Sequence, residues 1–201
     1  SGSTTVTAGT VSVAADGNLG GGTVTLNGGT LAITGATTID NAVSLGSSNG
    51  TITATADVTF SGVVSGSGTL TKTGTNTVTL SGTNTHTGDI VVSAGTLNAS
   101  GGNALSDTGT VTVASGATLD LNGATETIGA LTGSGTVNVG GGVITLSNAG
   151  ASSFTGTING TGTFTIASGV TLGGTGTYTI PVTVANGGTI APGNSPGTIS
   201  T

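Results

Sequence analysis

The 201-residue chain has no cysteine, methionine, tryptophan or arginine, and one lysine. Without cysteine it has no disulfide, thiolate metal site, iron–sulfur cluster or cysteine nucleophile. Lys72 and His86 are the only basic side chains. Neutralisation of phosphates by Lys and Arg supplies most nucleic-acid affinity, so nucleic acid is excluded as a partner. Attraction to anionic membrane surfaces fails for the same reason. No apolar run approaches the ~20 residues of a membrane-spanning helix. Aromatics are 2% and charged residues 4% of the chain, and only 3 prolines occur. The acidic residues Asp16, Asp40, Asp57, Asp89, Asp107, Asp120 and Glu126 give a net charge of −6. They are too dispersed for an acidic tail or a dense metal cluster. No leader peptide is visible and the chain opens on Ser1, so a processed product or an excerpt of a longer protein is expected.

What is present is glycine, threonine and β-branched aliphatics. The 41 glycines are not at every third position, which excludes collagen. Mean hydropathy is +0.35, too apolar for a disordered chain. Apolar residues recur at spacing two, the period of a strand with one buried face. Val24/Leu26, Leu31/Ile33, Val78/Leu80, Val111/Val113, Leu119/Leu121, Phe164/Ile166 and Tyr178/Ile180 are read as inward pairs flanked by outward threonine.

The tripeptide Gly-Thr-apolar begins at thirteen positions between Gly9 and Gly197, many of them separated by near multiples of six or seven. A strand plus a turn in ~7 residues suits a coil of about three strands and ~20 residues. Roughly ten such coils, stacked at ~4.8 Å, make a rod about 50 Å long. A longer similarity also recurs. TTVTAGTV at 4–11 matches IVVSAGTL at 90–97, and FSGVVSGSGTLT at 60–71 matches FTGTINGTGTFT at 154–165. The chain therefore reads as one β-helical segment, 1–201, holding two degenerate modules at 4–89 and 90–180. The first module begins in mid-pattern, as if the protein continued upstream. A hairpin-built sandwich would use the same Asn-Gly and Asp-Gly dipeptides as turns. Glycine and asparagine serve equally as left-handed corners between coil faces, and the strand spacing favours the all-β solenoid.

Residues 66–99 contain GSGTLTKTG, NTVTLSGTNTHTG and VVSAGTLNA. They resemble the passenger-associated repeat of Gram-negative autotransporters. His86 stands where that pattern usually has Tyr, and Gly74-Thr75-Asn76 where it often has Gly-x-Gly. Residues 187–201, GGTIAPGNSPGTIST, resemble the end segment of such passengers, so 181–201 is set apart as a C-terminal segment. The resemblance implies a right-handed parallel β-helix exported through an outer-membrane barrel that lies outside this chain. The repeat is a stalk-building unit and names no ligand.

Candidate sites are few. His86 and Asp89 are of the types for a base and its orienter, with Ser81 or Thr87 as nucleophile. Proximity in sequence is not a triad, and the plainer reading puts His86 half exposed at a turn. Asp107, Asp120 and Glu126 would suit a paired-carboxylate glycosidase, but side chains to grip a sugar are scarce. Asp16-Gly17-Asn18 and Asp40-Asn41 offer oxygen ligands for Ca²⁺ or, more simply, Asx turns. Lys72 is read as outward on a strand. Phe60, Phe154, Phe164 and Tyr178 are read as core. Neither a cofactor nor a metal is expected.

The Thr-x-Thr patches are the main surface feature: Thr23/Thr25, Thr69/Thr71, Thr77/Thr79, Thr163/Thr165 and Thr177/Thr179. Thr69, Thr71, Thr77, Thr79, Thr163 and Thr165 are taken as a possible interaction surface. An ice-binding face would need threonine at one strand position in consecutive coils, and the spacing along the sequence looks too irregular. The reading is a non-enzymatic, cell-surface or secreted adhesin stalk that self-associates or meets other surface proteins or glycans. A filament-forming surface protein is the alternative; an ice-binding or carbohydrate-active solenoid follows behind.

Overall fold

A computed structural model describes residues 2–149 and 151–193. The chain winds as a right-handed parallel β-helix with three faces. Face 1 is one ten-stranded sheet, from Thr10–Val13 to Thr189–Pro192. Face 2 is an eight-stranded sheet, from Thr37–Ile39 to Thr177–Tyr178. Face 3 is two separate four-stranded sheets, Thr4–Val6 to Val64–Gly66 and Thr125–Ile128 to Val182–Val184. Among the described residues the ten strands of face 1 bound nine complete coils. Successive strands of a face pair in parallel, so ladder hydrogen bonds run along the rod axis.

The alternation read from the sequence is the alternation observed. All seven inward pairs are buried. Their side chains stack in columns such as Val58–Val78–Leu97–Leu119–Val137–Ile158. Each fully buried Val, Leu or Ile contributes about 1.5–3 kcal/mol relative to exposure. Phe60, Phe154 and Phe164 are fully buried, and Tyr178 lies with its ring centroid 5.8 Å from that of Phe164.

Lys72 is a correction. It is not outward: it occupies the inward column Leu31–Ile52–Lys72–Val92–Val113 and has no exposed surface. Its strand alternates in register, and position 72 falls on the core side. The ammonium is tolerated because it reaches a corner of the coil. There it donates to Gly74 O at 2.7 Å, Ala94 O at 2.8 Å and Thr73 O at 3.3 Å.

Register also corrects the view of threonine spacing. On face 2, Thr77, Thr96, Thr118, Thr136, Thr157 and Thr177 form one outward column in six consecutive coils. Their separations of 18 to 22 residues are one coil each. Corners absorb the variation while the sheets hold register. The ~90-residue similarity, in turn, links strands on different faces. Thr4–Val6 lies on face 3, whereas its match Ile90–Val92 lies on face 1.

Candidate functional site

Face 3 loses its strands for two coils. Residues 82–88 and 101–109 cross it without sheet pairing. The first crossing lies within SGTNTHTGD, residues 81–89, which contains no apolar side chain. In the second, Ala104, Leu105 and Ser106 are buried in succession. An alternating strand cannot point three consecutive side chains inward.

The first crossing keeps part of the ladder, since Thr85 N–H donates to Val64 O at 2.8 Å and Thr87 N–H to Gly66 O at 2.9 Å, and side chains replace the rest. Asn84 is buried; its Oδ1 accepts the Val64 N–H at 2.8 Å, and its Nδ2 donates to Ala104 O at 2.9 Å. Glu126, 1% exposed, reaches back from the next sheet. Its carboxylate accepts Ala104 N–H at 2.9 Å and Leu105 N–H at 3.2 Å. Asn41 acts similarly nearer the N-terminus, donating to Gly20 O at 2.7 Å and Gly22 O at 2.6 Å. Burial pushes the Glu126 carboxyl up, the two N–H donors oppose this, and the Asp107 charge adds a smaller push upward.

His86 sits in the same interruption. It is 4% exposed, not half exposed, and both ring nitrogens are covered without a partner. One coil earlier, Gly66 contributes no side chain to the inward column that Leu45 occupies before it. Gly66 has φ +101°, and a Cβ there would strike Leu45 O, so the column thins where the imidazole enters. Burial pushes the His86 pKa down. Outside lies a notch of about 410 Å³. Thr83, Thr85, Thr87, Asn103, Asp107 and Thr108 form its exposed walls, with His86, Leu105 and Ser106 buried at its base.

The other candidate groups disperse. Asp89 accepts the Thr110 N–H at 2.7 Å and Ser81 donates to Phe60 O at 3.2 Å, so neither partners His86. Asp107 lies near Glu126, but Asp120 is on face 2 and accepts the Asn122 N–H at 2.9 Å. Asp16 Oδ1 accepts the Asp40 N–H from 24 residues on, and Asn18 Oδ1 accepts those of the preceding Ala14 and Ala15, so these oxygens serve backbone donors without forming Asx turns. Among the described residues no three His, Cys, Asp or Glu gather at one point.

The six threonines fall on three faces. Thr71 lies on face 1 with Thr69 at the corner before it, Thr77 and Thr79 on face 2, and Thr163 and Thr165 on face 3. The larger feature is the column each belongs to. Face 1 presents Thr10, Thr30, Thr51, Thr71, Val91, Thr112, Thr132, Ser153, Gly173 and Ala191 in register, without a charge. Hydroxyls bond from coil to coil: Thr53 to Thr73 at 2.6 Å and Thr112 to Thr132 at 2.8 Å. Face 2 sets the column Thr38–Thr59–Thr79–Asn98–Asp120–Asn138–Asn159 beside its threonines. Sequence reasoning missed the inward Lys72 and the notch. The apolar-free run at 81–89 was the available signal for the notch.

The passenger-associated-transport-repeat family matches residues 70–99. Over 175 residues the chain is 47% identical to the Adhesin BmaC autotransporter of Brucella suis biovar 1 (strain 1330). That similarity covers 80% of this chain and 5% of the curated relative, so the chain spans a small fraction of that protein's length. No solved structure matches.

Proposed function

The chain is an autotransporter passenger β-helix carrying a passenger-associated transport repeat, and from that premise we propose that it is a non-enzymatic adhesin stalk at the surface of a Gram-negative cell. One observation carries the reading. Face 1 is a continuous column of small, uncharged and mostly hydroxyl-bearing residues along the whole described rod. The one lysine of that face points inward, so no charge repulsion opposes a second rod laid alongside. Each hydrogen bond between rods contributes on the order of 1 kcal/mol. Repetition along the axis makes successive contacts intramolecular and multiplies their effect.

The test is a settling assay. Cells displaying the full parent protein are compared with cells lacking residues 1–201, and with cells carrying Thr51→Glu, Thr71→Glu, Thr112→Glu and Thr132→Glu together. The expected result is slower settling in both variants. Settling unchanged by the deletion would reduce this segment to a passive spacer. A second reading is favoured by register alone: threonine columns in consecutive coils meet the requirement of an ice-binding face. Thermal hysteresis with the purified segment would support it, and its absence would remove it.

A further inference from the structure

Period-two alternation decides which side of a strand is buried and leaves one ambiguity. A slip of one residue turns every side chain over, whereas a slip of two preserves both sides. The strands Leu70–Thr73 and Ile90–Val92 of face 1 show the problem. In the observed register Leu70 pairs with Ile90, Thr71 with Val91 and Lys72 with Val92. After a shift of two residues Leu70 would meet Val92 and Thr71 would meet Ser93, again apolar inside and hydroxyl-bearing outside. The corners do not forbid it, since the aligned threonines of face 2 are separated by anything from 18 to 22 residues.

Lys72 separates the two alignments. The rest of its column, Leu31, Ile52, Val92 and Val113, is aliphatic and indifferent to such a shift. Its ammonium is held by Thr73 O and Gly74 O at its own corner and by Ala94 O of the following coil at 2.8 Å. Gly95 comes next, with φ +65°, and a Cβ there would lie 2.7 Å from Nζ. Acceptor and clearance therefore stand together at one place in the following coil. A two-residue shift displaces both by about 7 Å along the strand. Ala94 O then leaves hydrogen-bond reach, and a fully buried ammonium is one acceptor short. An unmet buried group costs most when it is charged. We propose that Lys72 is a register lock: through Ala94 O and the space beside Gly95, its ammonium selects one of two alignments that the apolar core accepts. A single buried polar side chain fixes register in coiled coils by the same logic. The device governs how the rod aligns its coils and is independent of association through face 1.

The chain has no cysteine, so introduced pairs report register by disulfide formation. Thr71→Cys with Val91→Cys joins outward residues that are paired in the observed register. Thr71→Cys with Ser93→Cys joins positions about 8 Å apart in that register, from strand spacing and rise. A disulfide does not bridge more than ~7 Å between Cα atoms, so this second bond needs the shift. Each pair is equilibrated in a thiol redox buffer, in the parent and with Lys72→Met or Lys72→Leu. In the parent the bond between positions 71 and 91 should form readily, and that between 71 and 93 only in traces. In both Lys72 variants the 71–93 fraction should rise about tenfold, the worth of one hydrogen bond to a charged group. A 71–93 fraction unchanged by either substitution would overturn the proposal. So would failure of both variants to fold, since a register lock predicts a folded rod of mixed alignment.

Discussion

Face 1 and face 3 are built by the same chain in the same coils, yet one is a single sheet and the other is broken in the middle. Both bury polar groups. On face 1 the buried Lys72 has three carbonyl acceptors at a corner, and the strand carrying it stays in register with those on either side. On face 3, Asn84 and Glu126 bond to backbone groups that strands would otherwise pair, and His86 has no partner at all. A β-helix therefore tolerates an inward polar side chain when its tip meets orphan carbonyls. Where inward side chains must themselves stand in for the ladder, the sheet gives way. Unsatisfied buried groups carry the larger penalty, so the interruption is a weak place in the rod.

The contrast can be broken most forcefully at Glu126. Glu126→Ala leaves two buried N–H groups without acceptors and is expected to cost about 3 kcal/mol. Hydrogen exchange at 103–106 should rise sharply while amides of the face 1 strand Thr110–Val113 keep their protection. An even loss over both faces would show that the interruption does not open as a separate unit.

Acid should sharpen the contrast next. The folded pKa of His86 is depressed, so as pH falls below the ordinary imidazole value the unfolded chain takes up a proton that the folded chain refuses. Stability then declines with falling pH, by at most about 1.4 kcal/mol per pH unit. Glu126 works in the opposite sense. Its folded pKa is raised, so the folded state gains as pH drops toward the ordinary carboxylate range. In His86→Tyr the acid loss should vanish and a slight stabilisation remain, read from denaturant midpoints at several pH values. A His86→Tyr protein with the parent's full acid loss would assign the effect elsewhere.

The smallest change is expected on face 1. Thr112→Val with Thr132→Val removes the 2.8 Å hydroxyl pair and preserves shape. The cost should be about 1 kcal/mol or less, with both strands intact by hydrogen exchange. A loss as large as that of Glu126→Ala would mean that hydroxyl ladders, rather than the core, hold face 1 together.

Much of this was legible in the sequence, for specific reasons. Period-two alternation at Val78/Leu80 or Phe164/Ile166 states which side is buried, because a strand offers only two sides. Glycine marks corners, because a positive φ such as that of Gly74 or Gly95 strains any side chain. The outward reading of Lys72 follows the resemblance to the repeat rather than parity, by which Leu70 and Lys72 share a side. The turn reading of His86 follows its place at the usual Tyr of the repeat, whereas its parity with Asn84 points it inward. The threonine columns were hidden because coils of unequal length make aligned residues look irregular along the chain.

The sequence alone determined the strands, their inward sides, the corners and the mean coil length, since all of these rest on interactions within a few residues. It also determined that the surface is almost free of positive charge. Only the tertiary structure decided which residues of successive coils stand side by side. It alone put Thr77 beside Thr96 and Thr118, broke face 3, and brought Asn84, Ala104 and Glu126 into one chain of hydrogen bonds. Those relations depend on sheet register across some twenty residues, which no local pattern encodes.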